Sequence, residues 1–303
     1  ICSNYLIAIG FSRLNGTISW FRLNMIRSRE KLNGGPMETL VYQSYRANDV
    51  PGWMARCMAS VRDWAGAQGF DYRFIGDEIF DLAPDWFRAK ADGRRAMVTD
   101  LARLILARQY LDEGYARTIW FDADVLVFDA GNFSVPTETE YAFGWQIWIY
   151  ASPEGKPVAL QQVHNAVCVF CRGNSMLEFY IHACLERMRK LKPEEDPAKF
   201  AVSLGPGFLS SLHDLIGLKL LRDVALFSPL MLRDIAAGGG AAIDIHRRLA
   251  PAPVRAANLT ASAEGMTSYL LGAHEQTVTL TPDTLEAACA KLLETRGAVV
   301  NEA

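Results

Sequence analysis

Between Thr118 and Phe128 the chain reads Thr-Ile-Trp-Phe-Asp-Ala-Asp-Val-Leu-Val-Phe, an apolar run with two carboxylates, Asp122 and Asp124, set inside it. The apolar residues predict a buried strand, and a buried carboxylate is strongly disfavoured unless a partner offsets its desolvation. Positions i and i+2 of a strand share a face, so the pair is expected to converge on one cation. Mg²⁺ and Mn²⁺ suit such a site, because these hard ions take oxygen ligands and are often held by one or two carboxylates plus substrate phosphates. Taken alone, Asp-x-Asp is a weak signal, since strands commonly end in Asp at a turn or cap. The helix before this stretch and the apolar run behind it strengthen the metal reading.

The remaining composition excludes several classes. With 303 residues, 50% of them hydrophobic, the chain can bury a full core. A net charge of -3 gives no reason to expect nucleic acid as partner. No apolar run reaches the ~18 residues of a bilayer span, so the expected location is the cytoplasm, with peripheral association at a membrane left open. Six cysteines scattered through the chain read as reduced, packed thiols. The lone Cys168-Val-Phe-Cys171 cannot by itself complete a four-ligand zinc site and is expected to pack in the core.

In chain order, residues 1–36 read as an appendage and the domain is expected to begin near Met37. Thr39–Tyr45 predicts the first strand. Pro51 suits the first turn of a helix whose buried face carries Met54, Cys57, Met58, Val61 and Ala65. Asp71–Gly76 predicts a second strand, parallel to the first. Pro84–Ala91 reads as a connector. A helix over 94–112, closed by Gly114, buries Met97, Leu101, Leu104, Ile105 and Leu111 and carries Asp100 and Arg103 one turn apart. That spacing permits an ordinary i,i+3 ion pair, and it also places both groups just upstream of the carboxylate strand. Strands are expected over 141–148, 162–170 and 222–228, with His164 and Asn165 at a sheet edge or site. The aromatics of 141–148 are read as core in preference to a sugar-stacking platform. Helices are expected over 175–190 and 282–295, with solvated charge over 192–199. A Gly205-Pro206-Gly207 turn opens a further helix, where backbone N–H groups can approach a ligand. Gly238-Gly239-Gly240 lacks any phosphate-loop spacing.

Asp100-Leu-Ala-Arg103, followed by Leu106, Tyr110, Gly114, Tyr115 and Asp122-Ala-Asp124, resembles the signature of sugar-binding-region glycosyltransferases of family 32. These are the capsular-polysaccharide and yeast mannosyl type. Tyr42-Gln43-Ser44-Tyr45 and Val50-Pro51-Gly52-Trp53 are similar to that family's opening stretch, and Asn165-Ala166 and Gly205-Pro206 fall where it places an Asn-Ala strand and a Gly-Pro turn. The residues just before the carboxylates are closer to the family 8 pattern. The resemblance covers roughly residues 39–210. It implies an α/β GT-A fold, Rossmann-like, with a mixed, mostly parallel sheet flanked by helices. Residues 37–303 would form one domain, 37–130 its nucleotide-sugar half and 131–303 its acceptor half. It further implies Mn²⁺ or Mg²⁺, a UDP- or GDP-hexose donor, a saccharide acceptor and retention of anomeric configuration. Gln43, Asp100, Arg103, Asp122, Asn165 and Gly205 would line the donor, with Asp100, Arg103 and Asp122 central to catalysis. Asp122, Asp124 and a C-terminal histidine would hold the metal, with His274 preferred to His246.

Two rivals stand beside this reading. A haloacid dehalogenase-like phosphatase also ends a strand in Asp-x-Asp, but that motif usually lies near the domain start and needs a downstream acidic pair that is not found. A non-catalytic domain that binds a sugar nucleotide is the other. No pattern marks a covalent nucleophile.

Overall fold

The computed structural model describes residues 38–136, 138–152, 154–192, 203–263, 267–270 and 273–302, with the side chains of 263–278 outside that description. These residues belong to one compact unit, Met37–Ala303. The expected appendage 1–36 and most of the charged stretch 192–199 lie outside the described residues.

Strand β1 (Thr39–Ser44) passes through α1 (Gly52–Ala67) to β2 (Asp71–Ile75), which pairs parallel to it. Met54, Cys57, Val61 and Ala65 recur at helical spacing and are all buried. Pro51 occupies the cap position of α1, one residue ahead of where its fixed φ was expected. A 3₁₀ turn (Asp77–Leu82) follows, and the expected connector 84–91 is a helix, α2 (Asp85–Ala91), seated by Phe87 and Ala91 one turn apart. Helix α3 (Arg95–Glu113) stops at Gly114, whose φ of 122° disfavours other residues. It feeds β3 (Arg117–Phe121) and β4 (Val125–Val127). A long hairpin follows, β5 (Tyr141–Ala151) and β6 (Pro157–Cys171), each longer than expected because their outer ends pair only with each other. Helices α4 (Met176–Lys190) and α5 (Pro206–Ile216) come next, the latter with Pro206 in its first turn. Within the expected strand 222–228 lies the shorter β8 (Val224–Leu226), preceded by a two-residue strand, β7 (Leu220–Leu221). Helices α6 (Pro229–Ala237) and α7 (Ala241–Leu249) flank the triple glycine, which caps both. Strand β9 (Ala256–Asn258), the hairpin β10 (Thr267–Leu270) and β11 (Ala273–Thr279), and helices α8 (Pro282–Thr295) and α9 (Ala298–Asn301) complete the described chain.

The main sheet has the order β2-β1-β3-β6-β5-β7. It is mixed and mostly parallel: β1 pairs parallel with β2 and β3, and β5 with β7, whereas β6 runs antiparallel to β3 and β5. Both faces are covered, which explains the near-continuous apolar runs of β1 and β3. Leu40, Tyr42 and Trp120 pack with α3 and α4, and Val41, Ile119 and Phe121 pack with α1 on the other side. A second sheet, β4-β9-β8, lies under a core to which α6, α7 and α8 contribute.

Cys168 is buried and Cys171 is half-buried. An i,i+3 spacing on a strand turns the two side chains to opposite faces, and both thiols are free.

Candidate active site at the end of β3

The two carboxylates do not ride on one strand, contrary to the expectation. β3 ends at Phe121, and Asp122-Ala123-Asp124 is the turn that carries the chain from the main sheet into the second. The Asp122 N–H still completes the first ladder by donating to Ala166 O at 2.7 Å, and Asp122 O accepts the Val125 N–H at 3.1 Å, closing the turn. Each carboxylate therefore meets its own partners.

Asp122 belongs to a buried ionic network. Arg103 donates through Nη1 to Asp122 Oδ1 at 2.9 Å and through Nη2 to Asp100 Oδ1 at 2.8 Å. The same Nη1 also donates to Asn165 O at 2.6 Å, and Nε donates to Thr99 O at 3.2 Å. Asn165 Nδ2 donates to Asp100 Oδ1 at 2.7 Å, and Trp120 Nε1 donates to Asp122 Oδ1 at 2.6 Å. The guanidinium also lies 5.1 Å from the centre of the Trp120 ring, a cation–π distance. Helix periodicity puts Asp100 and Arg103 on one side of α3, and Tyr42 Oη seats that turn by donating to Arg103 O at 2.7 Å. The i,i+3 ion pair is thus present and reaches a third group.

Gln43 is fully buried and braces the turn from below. Its Nε2 donates to Asp122 O at 3.1 Å, and its Oε1 accepts from Tyr72 Oη at 3.1 Å. Both ends of the side chain are thus engaged within the protein, one of them on the turn that carries Asp122. Gly205 precedes α5 and faces Asn165: a Cβ on it would lie 2.8 Å from Asn165 Oδ1. Asn165 and Gly205 thus meet in space.

His164 and Asn165 do not lie at a sheet edge but within β6, where the register against β5 slips between Phe143 and Gly144. Gly144 makes room for His164 by having no side chain, since a Cβ there would lie 2.1 Å from the imidazole Cε1. The Ala166 N–H donates to His164 Nδ1 at 3.2 Å, so Nε2 carries the proton towards Val224 O, also 3.2 Å away. Burial holds this imidazole neutral, at about 4.

Asp124 is clasped from β9. Asn258 Nδ2 donates to its Oδ1 at 2.6 Å and the Ala261 N–H to its Oδ2 at 2.8 Å. Asn258 escaped the sequence reading because it lies in an Asn-Leu-Thr sequon with no other mark. Trp120 shows in the sequence only as part of an apolar run.

The electrostatics follow from burial. Desolvation pushes Asp100 up to about 6 against the opposing pull of Arg103 and Asn165. Burial acts to lower Arg103, but Asp122 and Asp100 overcome it and hold the guanidinium charged. Asp122 is raised by burial, with Arg103 and the Trp120 N–H opposing. Asp124 is pushed up to about 7 by burial and then by the charge of Asp122, while the donors Ala261 and Asn258 work the other way.

Two carboxylates that repel each other fit a divalent cation. The Asp122 side chain is 27% exposed, and its second oxygen takes no donor among the described residues. Among the described residues no group of three or more His, Cys, Asp or Glu completes a metal site, so water and substrate oxygens would fill the remaining positions. His274 lies on β11, and its side chain is outside the described residues. His246 is buried beside Phe227 at a ring distance of 5.7 Å, and both its nitrogens lack a hydrogen-bond partner among the described residues.

No known family and no curated protein matches the chain in sequence. In three dimensions it is similar to a glycosyltransferase involved in the glycosylation of the major capsid of PBCV-1, at 9% identity and a TM-score of 0.41, over 75% of this chain and 94% of that one.

Proposed function

We propose that this protein is a metal-dependent, configuration-retaining glycosyltransferase that moves a hexose from a UDP- or GDP-linked donor to a saccharide or other hydroxyl acceptor. The observation that carries this reading is the single guanidinium, Arg103, bridging Asp100 on α3 to Asp122 at the end of β3. It supports the motif resemblance of those residues, because the parts of the motif meet in space. Ligands of open α/β sheets bind outside the carboxyl ends of parallel strands, which is where Asp122 lies.

Asp122 and Asp124 would hold Mg²⁺ or Mn²⁺. When bound, such an ion neutralises the charge that develops on the departing nucleoside diphosphate. Arg103 fixes the Asp122 carboxylate in place, and Asn165 fixes Asp100. This preorganisation removes the need to reorient either group as charge moves. The acceptor hydroxyl would attack from the face that the diphosphate leaves.

A panel of UDP- and GDP-hexoses, each with Mn²⁺, with EDTA and with the Asp124→Ala variant, tests the reading by released nucleoside diphosphate. Release from one donor that is lost with EDTA and in the variant is expected. The lack, among the described residues, of any group of three or more His, Cys, Asp or Glu that could hold a metal favours a second reading, a domain that binds the sugar nucleotide without turnover. Metal-dependent donor binding with no release from any donor would select it.

A further inference from the structure

The turn after β9 does more than end a strand. Asn258 is 4% exposed, and its amide spans two neighbours: Oδ1 accepts the Thr260 N–H at 2.6 Å, and Nδ2 donates to Asp124 Oδ1 at 2.6 Å. The first bond fixes which end of the amide faces the carboxylate, because the flipped amide would set oxygen against oxygen and nitrogen against N–H. Thr260 has φ 53°, a left-handed conformation that a β-branched residue rarely adopts. Its hydroxyl stabilises this by donating to Phe227 O at 2.6 Å. The twist turns the next N–H, that of Ala261, back onto Asp124 Oδ2, while the Leu259 N–H donates to Asp124 O at 2.9 Å. One four-residue segment thus holds Asp124 at both carboxylate oxygens and at its carbonyl. Strain of this kind persists only where the surroundings over-determine it, and it concentrates at functional sites.

We infer that Asn258 is a positioning residue, which orients the Asp124 carboxylate so that its remaining lone pairs meet the cation and not the protein. The inference rests on the glycosyl-transfer reading above. A carboxylate oxygen accepts in more than one direction, so one donor per oxygen leaves capacity for a metal while fixing the plane of the group. Partners that orient a metal ligand typically contribute ~10–100-fold in affinity.

The test is direct Mn²⁺ binding by the full chain, read as free Mn²⁺ by paramagnetic resonance with UDP or GDP present, alongside thermal melts. Two variants are compared with the unmodified chain. Asn258→Ser keeps a short oxygen that can still accept the Thr260 N–H but cannot reach Asp124, and Asn258→Ala removes both bonds. Mn²⁺ affinity is expected to fall about 10-fold or more in Asn258→Ser, with a melting temperature near that of the unmodified chain. Unchanged Mn²⁺ affinity in a folded variant, with only the melt lowered, would overturn the inference and leave Asn258 a structural residue. No Mn²⁺ bound by the unmodified chain would remove the metal-dependent reading and this inference together.

Discussion

Arg103 and Asp122 are 19 residues apart in the chain and 2.9 Å apart in space, and the same guanidinium holds Asp100 at 2.8 Å. One guanidinium therefore bridges two carboxylates that would otherwise repel each other across a largely buried site. Removing one partner of a buried pair strands the other charge, which costs about 3–5 kcal/mol. Arg103→Ala is expected to lose that much in urea denaturation. Arg103→Lys keeps the charge but not the fork. It should fold while releasing nucleoside diphosphate about 100-fold more slowly, because a small misplacement of Asp122 suffices for such a loss. Full activity in the lysine variant would show that charge alone is required.

Gly205 and Asn165 form a second such pair. The Cβ of Gly205→Ala would arrive 2.8 Å from Asn165 Oδ1 and push the amide off Asp100, to which it donates at 2.7 Å. The expected loss is about 1–3 kcal/mol. Asn165→Ala removes the obstacle, so Gly205→Ala should add little to it. A double-mutant cycle in denaturant measures that coupling; strictly additive losses would show that the two residues act apart.

His164 and His246 are both held near 4 by burial. An unfolded histidine takes up its proton near ~6.5, so between about 4 and 6.5 the unfolded chain binds more protons than the folded one. The histidines therefore lower stability as pH falls through that window. His246 lacks hydrogen-bond partners among the described residues and packs edge-on against Phe227. His246→Phe should raise stability by about 1 kcal/mol at neutral pH, and by more at pH near 5. Melts of both chains across this range check it; an unchanged pH slope would place the acid sensitivity elsewhere.

The raised carboxylates act in the opposite sense. Asp124 holds its proton up to about 7, so the folded chain loses stability as pH rises towards that value, when Asp122 and Asp124 come to repel each other. A divalent cation held by the two carboxylates, as proposed, would relieve this repulsion. Mg²⁺ or Mn²⁺ should raise the melting temperature more above pH 7 than below it, reversibly with EDTA. In Asp124→Asn the pH dependence of that shift should vanish. An equal shift at both pH values would show that the ion binds elsewhere.

The sequence by itself determined whatever depends on local spacing. Asp100 and Arg103 share a helical face because three residues make nearly one turn, and the buried strands β1 and β3 are legible as apolar runs. Gly114 and Gly205-Pro206 punctuate the chain where helices stop and start. Tertiary structure alone decided the rest. The Asn165 carbonyl accepts from Arg103 across 62 residues, and Asn258 reaches Asp124 across 134. Nothing in a strand's alternation reveals that the chain changes sheets between Phe121 and Val125 and so divides the carboxylate pair between two sets of donors. A residue's type and period follow from its near neighbours, whereas the partner that offsets a buried charge is supplied by whichever distant segment the packing brings alongside.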